Sequence, residues 1–437
     1  PDRGGLCGRG GHHRAREDRR RPPRSGGGLE AQTPASRLGA GVLQVLDWHV
    51  SEHADRTQIV FLSDSGEQPI SYAALKAGAM AVAAGLQGEG LEPGQAVAIM
   101  LPTSPEYFDT YFGILLAGGI PVPIYPPARL SQIEEHVRRH AGILANAQAT
   151  ILVTVAQAMA VGRLLEANVP GLRRVITAAH LAAAGGEAIP VPANGDDIAF
   201  IQYTSGSTGN PKGVVLTHAN LASDFAPIER GFLRRESLLR PLGAMRFLTT
   251  LPLSHMFGQA MNVFLPLYMG LTVVFVPPRP REVLGAARRT RAWGLFTVPR
   301  LLELLGHEVR RILRDEGRLE AIERRQERLA RWPFYLQSLL FWRIQRIFGA
   351  RFRLLVSGGA PLPDAVQQFW ERSGYLVLQG YGLTETAPIV SVSNPFERSA
   401  GSVGRPMRIQ EVALGEIPLR LGHGQPVDEA LPRLAEV

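Results

Sequence analysis

The chain has 437 residues, of which 45% are hydrophobic and 20% are charged, a composition that supports two or three globular domains with buried cores. Eight arginines and three acidic residues in 1–28 supply +5 of the formal net charge of +8, and the nearly neutral remainder leads us to expect no nucleic-acid partner. A single cysteine, Cys7, excludes an intramolecular disulfide. Because the chain has neither a run of 18 apolar residues nor a hydrophobic leader, we expect a cytoplasmic protein.

The predicted elements begin after a tail. Residues 1–36 are rich in Gly, Arg and Pro and almost lack apolar residues, which predicts a disordered basic tail. Beyond it, short apolar runs alternate with amphipathic stretches such as 104–118 and 130–147. The strand-like runs cover 95–101, 149–154, 197–205, 246–253, 271–277, 294–299, 351–359 and 375–382. This alternation predicts an α/β fold of layered, largely parallel sheets flanked by helices.

Residues 303–348 depart from this alternation. Their first half is charged and helical in pattern, and their second half interleaves arginine with aromatic residues such as Trp332 and Trp342. A stretch of this kind, above all 330–348, can lie on a membrane surface, which would place the protein peripherally at the inner membrane face. We favour the alternative, an amphipathic pair of helices packed on the domain.

The stretch "YTSGSTGNPKGVVLTH" (203–218) combines glycines, hydroxyl groups and a lysine after an apolar strand. Its glycines allow backbone conformations closed to other residues, and its N–H and hydroxyl groups can surround phosphate oxygens. Lys212 adds a positive charge suited to a polyphosphate. The loop does not fit the Walker A pattern, because Pro211 precedes the lysine and Gly213 follows it. It therefore predicts a phosphate site of another kind, with a flexible linker as the alternative.

Four further stretches follow the loop in order: "LPLSHMFG" (251–258), "VSGGAPLP" (356–363), "LQGYGLTET" (378–386) and "GSVGRP" (401–406). With the loop, they closely resemble the ordered motifs of the adenylate-forming superfamily, which includes acyl-CoA synthetases, fatty acyl-AMP ligases, peptide-synthetase adenylation domains and luciferases. The resemblance runs from about residue 40 to 417. It implies a large AMP-binding adenylation domain of the acyl-CoA synthetase/luciferase type over 37–417, followed by a divergent tail at 418–437.

The resemblance also implies roles for individual residues. The loop would hold the β- and γ-phosphates of ATP, His255 would lie beside the acyl carboxylate, Tyr381 would flank the adenine, Thr384 would contact the α-phosphate and Glu385 would bind Mg²⁺. The residues implied at the nucleotide and acyl site are Thr204, Ser205, Gly206, Ser207, Thr208, Gly209, Lys212, Gly358, Gly359, Ala360, Tyr381, Gly382 and Thr384. The catalytic set is Lys212, His255, Thr384 and Glu385. In isolation, His255 and Tyr381 would be read as core residues and Glu385 as a helix N-terminal acid.

The implied activity is that of an acid–thiol ligase. A carboxylate attacks the α-phosphorus of ATP, pyrophosphate leaves, and the acyl group then passes to a thiol. The implied cofactors are ATP, Mg²⁺ and CoA. Residues 122–154, with their Tyr-Pro-Pro turn, resemble fatty acyl-AMP ligases, and 330–354 looks like bacterial long-chain acyl-CoA synthetases. We therefore expect a fatty acid substrate, and neither resemblance excludes an aryl or medium-chain acid. The alternatives are an acyl carrier protein as acceptor, or a non-catalytic fragment that binds ATP and fatty acid.

The sequence departs from the family pattern after residue 417. The family carries a Tyr-x-Thr-Gly-Asp motif, whose Asp holds the ribose, and a small C-terminal domain with an adenylation lysine. Asp428 is the sole aspartate after Asp364, and Lys76 and Lys212 are the two lysines of the sequence, so neither feature is present. We therefore expect the large domain without its small domain, and an impaired activity. The chain would be truncated or frame-shifted, completed by a separate polypeptide, or limited to binding.

Overall fold

A computed structural model describes residues 41–63, 66–127, 133–204, 211–233, 245–329, 341–393 and 401–407. Several predictions fall outside these residues: the basic tail at 1–36, the loop residues 205–209, the aromatic segment at 330–340 and the tail at 418–437. The domain boundaries drawn from the sequence therefore stay predictions.

The described residues form strands and helices in alternation. The strands are β1 (Thr57–Ser63), β2 (Gly66–Ser71), β3 (Ala96–Met100), β4 (Ile120–Pro123), β5 (Ala149–Thr154), β6 (Arg174–Thr177), β7 (Ile198–Thr204), β8 (Lys212–Thr217), β9 (Arg246–Thr249), β10 (Thr272–Phe275), β11 (Gly294–Thr297), β12 (Leu354–Ser357), β13 (Leu376–Tyr381), β14 (Ser391–Val392) and β15 (Arg405–Pro406). The helices are α1 (Val42–His53), α2 (Tyr72–Gly88), α3 (Pro105–Leu116), α4 (Ile133–Asn146), α5 (Met159–Asn168), α6 (Ala178–Ala183), α7 (His218–Leu233), α8 (Met256–Gln259), α9 (Leu265–Met269), α10 (Pro280–Arg289), α11 (Pro299–Asp315), α12 (Leu319–Arg328), α13 (Trp342–Phe348) and α14 (Asp364–Arg372). A π-helical turn (Ala260–Phe264) joins α8 to α9, and 3-10 turns cover Ala156–Ala158 and Thr384–Thr386.

These strands form two layered sheets and a hairpin. The larger sheet has the order β15-β14-β13-β12-β11-β9-β10-β1-β2, and its central strands from β13 to β1 run parallel. The second sheet has the order β4-β3-β5-β6 and is parallel throughout. The predicted α/β fold with largely parallel sheets is confirmed, and each strand-like run of the sequence contains one of these strands.

Helices cover both faces of the larger sheet because its strands are apolar on both sides. Within β9, Phe247 packs in the cluster on one face, while its neighbour Leu248 packs in the cluster on the other. Val273 and Val274 of β10 divide in the same way. Successive side chains of a strand point to opposite faces, so a continuous apolar run is buried only when both faces are covered.

The charged segment after β11 forms the amphipathic helices that we favoured. Helices α11 and α12 pack against each other, and α11 also packs on α14, where the indole N–H of the buried Trp370 donates to the Leu302 carbonyl at 3.2 Å. Trp342, at the start of α13, is 45% exposed, and the Arg346 guanidinium lies 4.4 Å above its ring. Within the described ranges, no helix combines the length and apolarity needed to cross a bilayer. Peripheral membrane contact stays a prediction.

Candidate active site

The motif-bearing loops leave the larger sheet at one edge. The histidine motif follows β9, the Gly-Gly-Ala motif follows β12 and the Tyr-Gly-x-Thr-Glu motif follows β13. Strands β13, β12, β11 and β9 are consecutive neighbours and run parallel, so their carboxyl ends meet along the same edge. In open parallel sheets this edge is where ligands bind.

Two of these loops are in direct contact. A Cβ placed on Gly358 would lie 2.9 Å from the ring of Phe257, and one on Gly359 would lie 3.8 Å from it. Gly359 adopts a φ of 77°, a backbone conformation that favours glycine. Gly358 is buried beneath the ring, whereas Gly359 and Ala360 are exposed. The glycine pair therefore lets the backbone after β12 approach the loop that carries the histidine, and leaves Ala360 facing the open edge.

His255 stands at the start of α8 and is partly exposed, so it is not the core histidine that an isolated reading would suggest. The ring of Tyr125 meets it edge-on, with centroids 4.9 Å apart. Partial burial and the positive charge of Arg139 on α4 lower the pKa of His255 below its ordinary value of 6.5. At neutral pH the imidazole is therefore uncharged, a form that can donate one hydrogen bond to a carboxylate oxygen.

A buried polar network holds the turn that carries His255. The Tyr107 hydroxyl donates to the Leu253 carbonyl at 3.0 Å, and the Gln259 side-chain amide donates to both that carbonyl and that hydroxyl. Asn262 adds a bond to the carbonyl of Leu251 at 3.1 Å. Sequence reasoning missed these residues, because a tyrosine or an amide in an apolar helix carries no signal of its partner.

The phosphate-loop stretch forms an antiparallel hairpin, β7–β8, in which Thr204 pairs with Lys212 on either side of the tip. Lys212 is exposed. The hairpin is joined to the histidine turn, because the Gln202 side chain donates to the Ser254 carbonyl at 2.9 Å. Strand β8 also contacts the Thr384–Thr386 turn. The tip residues Ser205 to Gly209 lie outside the described residues, so their predicted phosphate contacts stay predictions.

The Tyr-Gly-x-Thr-Glu motif closes a compact turn after β13. The Thr386 hydroxyl donates to the Leu383 carbonyl at 2.9 Å and accepts from the Leu383 N–H at 3.0 Å, which fixes the 3-10 turn. This turn presents Thr384, half-buried, and Glu385, exposed, beside the strand that begins at Lys212. A lysine, a hydroxyl and a carboxylate on two contacting segments form a suitable set for an anionic ligand with a cation.

The fold and this edge define an α/β protein whose motif-bearing loops meet at the carboxyl ends of parallel strands. Comparison with protein families is more specific: the model for the AMP-binding enzyme family matches residues 46–424. That match covers most of the chain, so the chain belongs to the AMP-binding enzyme family, as the order of its motifs predicted.

Curated relatives carry acyl-CoA ligase names. The chain is 30% identical over 362 residues to a feruloyl-CoA synthase of Amycolatopsis sp, which covers 80% of this chain and 62% of that protein. It is 27% identical over 412 residues to a long-chain-fatty-acid–CoA ligase of Escherichia coli O157:H7, which covers 85% and 65% respectively. The chain therefore spans less than two thirds of the length of these relatives.

Solved structures share the fold. A structure from a study of fatty acyl-adenylate ligases from E. coli and L. pneumophila matches with a TM-score of 0.63 at 23% identity, over 81% of this chain and 59% of that one. The inhibitor-bound N-terminal domain of FACL13 from Mycobacterium tuberculosis matches with a TM-score of 0.65 at 22% identity, over 84% and 82%. The predicted layered fold of the large adenylating domain is thus confirmed.

Proposed function

We propose that this chain provides the large domain of an ATP-dependent ligase, which activates a fatty acid to its acyl-adenylate before transfer to CoA. The observation that carries the proposal is the contact between strand β8, which begins at Lys212, and the Thr384–Thr386 turn. That turn follows β13, and the loop with His255 follows β9, at the same edge of the sheet. Adenylation brings a carboxylate anion to a polyphosphate, so positioning and charge neutralisation must supply most of the catalysis.

Each side chain at this edge has a proposed task. Lys212 and the hairpin tip hold the β- and γ-phosphates, the Thr384 hydroxyl donates to an α-phosphate oxygen, and Tyr381 packs beside the adenine. The neutral imidazole of His255 donates a hydrogen bond to the acyl carboxylate and so orients the attacking oxygen. Because the imidazole carries no positive charge, it does not lower the nucleophilicity of that oxygen as an imidazolium would. Gly358, Gly359, Ala360 and Gly382 shape the nucleotide and acyl walls.

The donor set fits Mg²⁺. The residues that the structure describes contain no group of three His, Cys, Asp or Glu side chains able to hold a metal ion. Glu385 instead offers a single exposed carboxylate beside β8. Mg²⁺ is commonly bound by one or two carboxylates together with substrate phosphates and water, rather than by a protein cage. When bound there, the ion would neutralise the charge of the departing pyrophosphate.

The fatty acid and the thiol acceptor are the less constrained parts of the proposal. Long-chain ligases among the relatives support a fatty acid and CoA, whereas the feruloyl-CoA synthase match keeps an aryl acid as a competitor. An acyl carrier protein is the alternative acceptor. The 437 residues hold no lysine beyond Lys212, so this chain alone should exchange ATP and pyrophosphate roughly 10²–10³-fold more slowly than an enzyme with the adenylation lysine.

The two lysines of the sequence provide a matched test. Lys212→Ala should weaken Mg·ATP binding about 10- to 100-fold, as expected for the loss of a charged hydrogen bond to phosphate. Lys76→Ala is the control, because Lys76 forms an exposed ion pair with Asp47 at 2.7 Å on α1 and α2. Calorimetric titration of each variant with Mg·ATP measures the effect. Equal affinity of the two variants would contradict the phosphate role of Lys212.

Fatty-acid-dependent exchange of pyrophosphate into ATP tests the reaction itself. Exchange stimulated by a long-chain acid, and not by ferulate, would support the proposed substrate class, and the reverse would replace it with the aryl class. Binding of Mg·ATP without exchange under either acid would favour the non-catalytic alternative.

A further inference from the structure

A buried carboxylate joins two parts of the candidate site that are far apart in sequence. Asp224 lies in the second turn of α7, the helix that follows β8 without a break. Its side chain is 1% exposed, and Oδ2 accepts from the backbone N–H of Ile389 at 2.7 Å. Ile389 lies five residues beyond Thr384, so this bond reaches from the helix behind the phosphate hairpin to the turn of the Tyr-Gly-x-Thr-Glu motif.

The turn to which Asp224 is bonded is closed on itself. The Val390 N–H donates to the Tyr381 carbonyl at 2.9 Å, which brings the two ends of the 381–390 segment together. Within it, Gly382 packs so closely on the Pro388 carbonyl that no side chain fits between them. Ala387 holds a φ of 66°, a conformation that is strained for a residue with a side chain. A strained, closed turn keeps its shape only where the surroundings hold it.

We propose that Asp224 is a positioning residue, which attaches the Thr384–Glu385 turn to α7 and so sets the distance from that turn to Lys212. The turn contacts β8 directly, but residues 384–386 are exposed or half-buried and offer little packing of their own. The Asp224–Ile389 bond is a buried polar attachment between the turn and the helix that continues from β8, beside the apolar packing of Ala387 and Ile389 in the core. Its effect on the nucleotide rests on the proposed function, whereas the attachment itself does not.

An acceptor oxygen is the feature of Asp224 that this role needs. Asn has an acceptor oxygen in the same place, so Asp224→Asn should keep the attachment. Leu has a similar shape without an acceptor, so Asp224→Leu fills the space and removes the carboxylate acceptor of the Ile389 N–H. Asp109→Leu on α3 is the control, because Asp109 is also an acid removed from most solvent but packs beside Gly78 of α2.

Two measurements on the 437-residue chain test the proposal. Hydrogen exchange of the amides of 381–391, followed by mass spectrometry without ligand, should be at least tenfold faster in Asp224→Leu than in the wild type. Titration with Mg·ATP should show at least tenfold weaker binding by Asp224→Leu. In Asp224→Asn and Asp109→Leu, both quantities should stay within about threefold of the wild type, which a general loss of folding would not produce.

Three outcomes would overturn the proposal. The first is that Asp224→Leu binds Mg·ATP as tightly as the wild type does. The second is that Asp224→Asn loses as much Mg·ATP affinity and amide protection as Asp224→Leu. The third is that the wild-type Ile389 amide exchanges as fast as an unprotected amide. The last measurement needs no variant, so it decides the attachment even if Asp224→Leu does not fold. If the wild type bound no Mg·ATP, the proposed function and the positioning role would fail, while exchange at Ile389 would still report the attachment.

Discussion

Replacing Gly382 with alanine probes a close approach of two main-chain segments in the candidate site. A Cβ on Gly382 would press directly on the carbonyl oxygen of Pro388, and it would lie 2.7 Å from the carbonyl carbon and 3.2 Å from the Cα of Ile389. These three atoms belong to the main chain, so no side-chain rotation relieves the clash. The two segments of the turn must move apart.

The Pro388 carbonyl has little room to retreat, because hydrogen bonds hold the residues that follow it. The Ile389 N–H donates to Asp224 at 2.7 Å, and the Val390 N–H donates to the carbonyl of Tyr381 at 2.9 Å. We therefore expect the strain to displace the turn itself. Overpacking of this kind costs about 1–3 kcal/mol of the free energy of unfolding.

Displacement of the turn also displaces Thr384 and Glu385, which the proposed function places against phosphate and Mg²⁺. Loss of one hydrogen bond to a charged phosphate costs about 1.5–3 kcal/mol. Gly382→Ala should therefore lose about tenfold or more in Mg·ATP affinity, as well as stability. Urea unfolding and calorimetric titration with Mg·ATP measure the two losses separately.

Gly285→Ala is the matched control. Gly285 lies in α10, and no atom comes within 4 Å of a Cβ built there. Alanine in an open helical site should raise the free energy of unfolding by about 0.5–1 kcal/mol and leave nucleotide affinity unchanged. Gly382→Ala behaving like Gly285→Ala in both assays would refute the argument from close packing.

Two more predictions concern buried polar groups. Tyr107→Phe removes the hydroxyl that donates to the Leu253 carbonyl, and it should lower the free energy of urea unfolding by about 1–2 kcal/mol; no change would contradict the network behind His255. Burial raises the pKa of Asp224 to about 7 from 3.8, so the folded state holds its proton more tightly, and the free energy of unfolding falls as pH rises from about 4 to 7 and levels off above 7. The unfolding free energy of Asp224→Asn relative to the wild type should therefore rise by roughly 2–3 kcal/mol from pH 5 to pH 8, and a pH-independent difference would contradict the shift.

Five parallel strands of the larger sheet could be predicted from the sequence because both faces of that sheet are covered, whereas the parallel strands β1, β4 and β6 were missed. Burial on both faces demands a continuous apolar run, and β10 and β11 are buried along their whole length. Strand β2 could not be found in this way. Its residues are exposed or half-buried, and Pro69 lies within it, which an edge strand tolerates. Strand β8 was not predicted either, because most of its residues are exposed or half-buried and it lacks a continuous apolar run.

The candidate site was predictable where its residues form ordered motifs, and unpredictable where a residue acts through a distant partner. Lys212, His255 and Glu385 were assigned by motif; Lys212 begins strand β8, and His255 and Glu385 lie at the turns after β9 and β13. Asp224 was missed because a lone aspartate in an amphipathic helix is typical of a solvated face. Its partner, Ile389, is 165 residues away, and no local pattern encodes such a pair.

Exposure divides the candidate site into two sets of residues with different expected behaviour. Lys212, His255 and Glu385 are exposed, so their replacement should change ligand affinity with little effect on unfolding. Tyr107 and Asp224 are buried and bonded to the backbone of the loops that carry those side chains. Because Tyr107 and Asp224 act through the backbone of these loops, replacing either residue should alter both the stability and the ligand affinity. A plot of affinity loss against stability loss should therefore separate the two sets, and a single common line would show that the exposed residues also hold the fold.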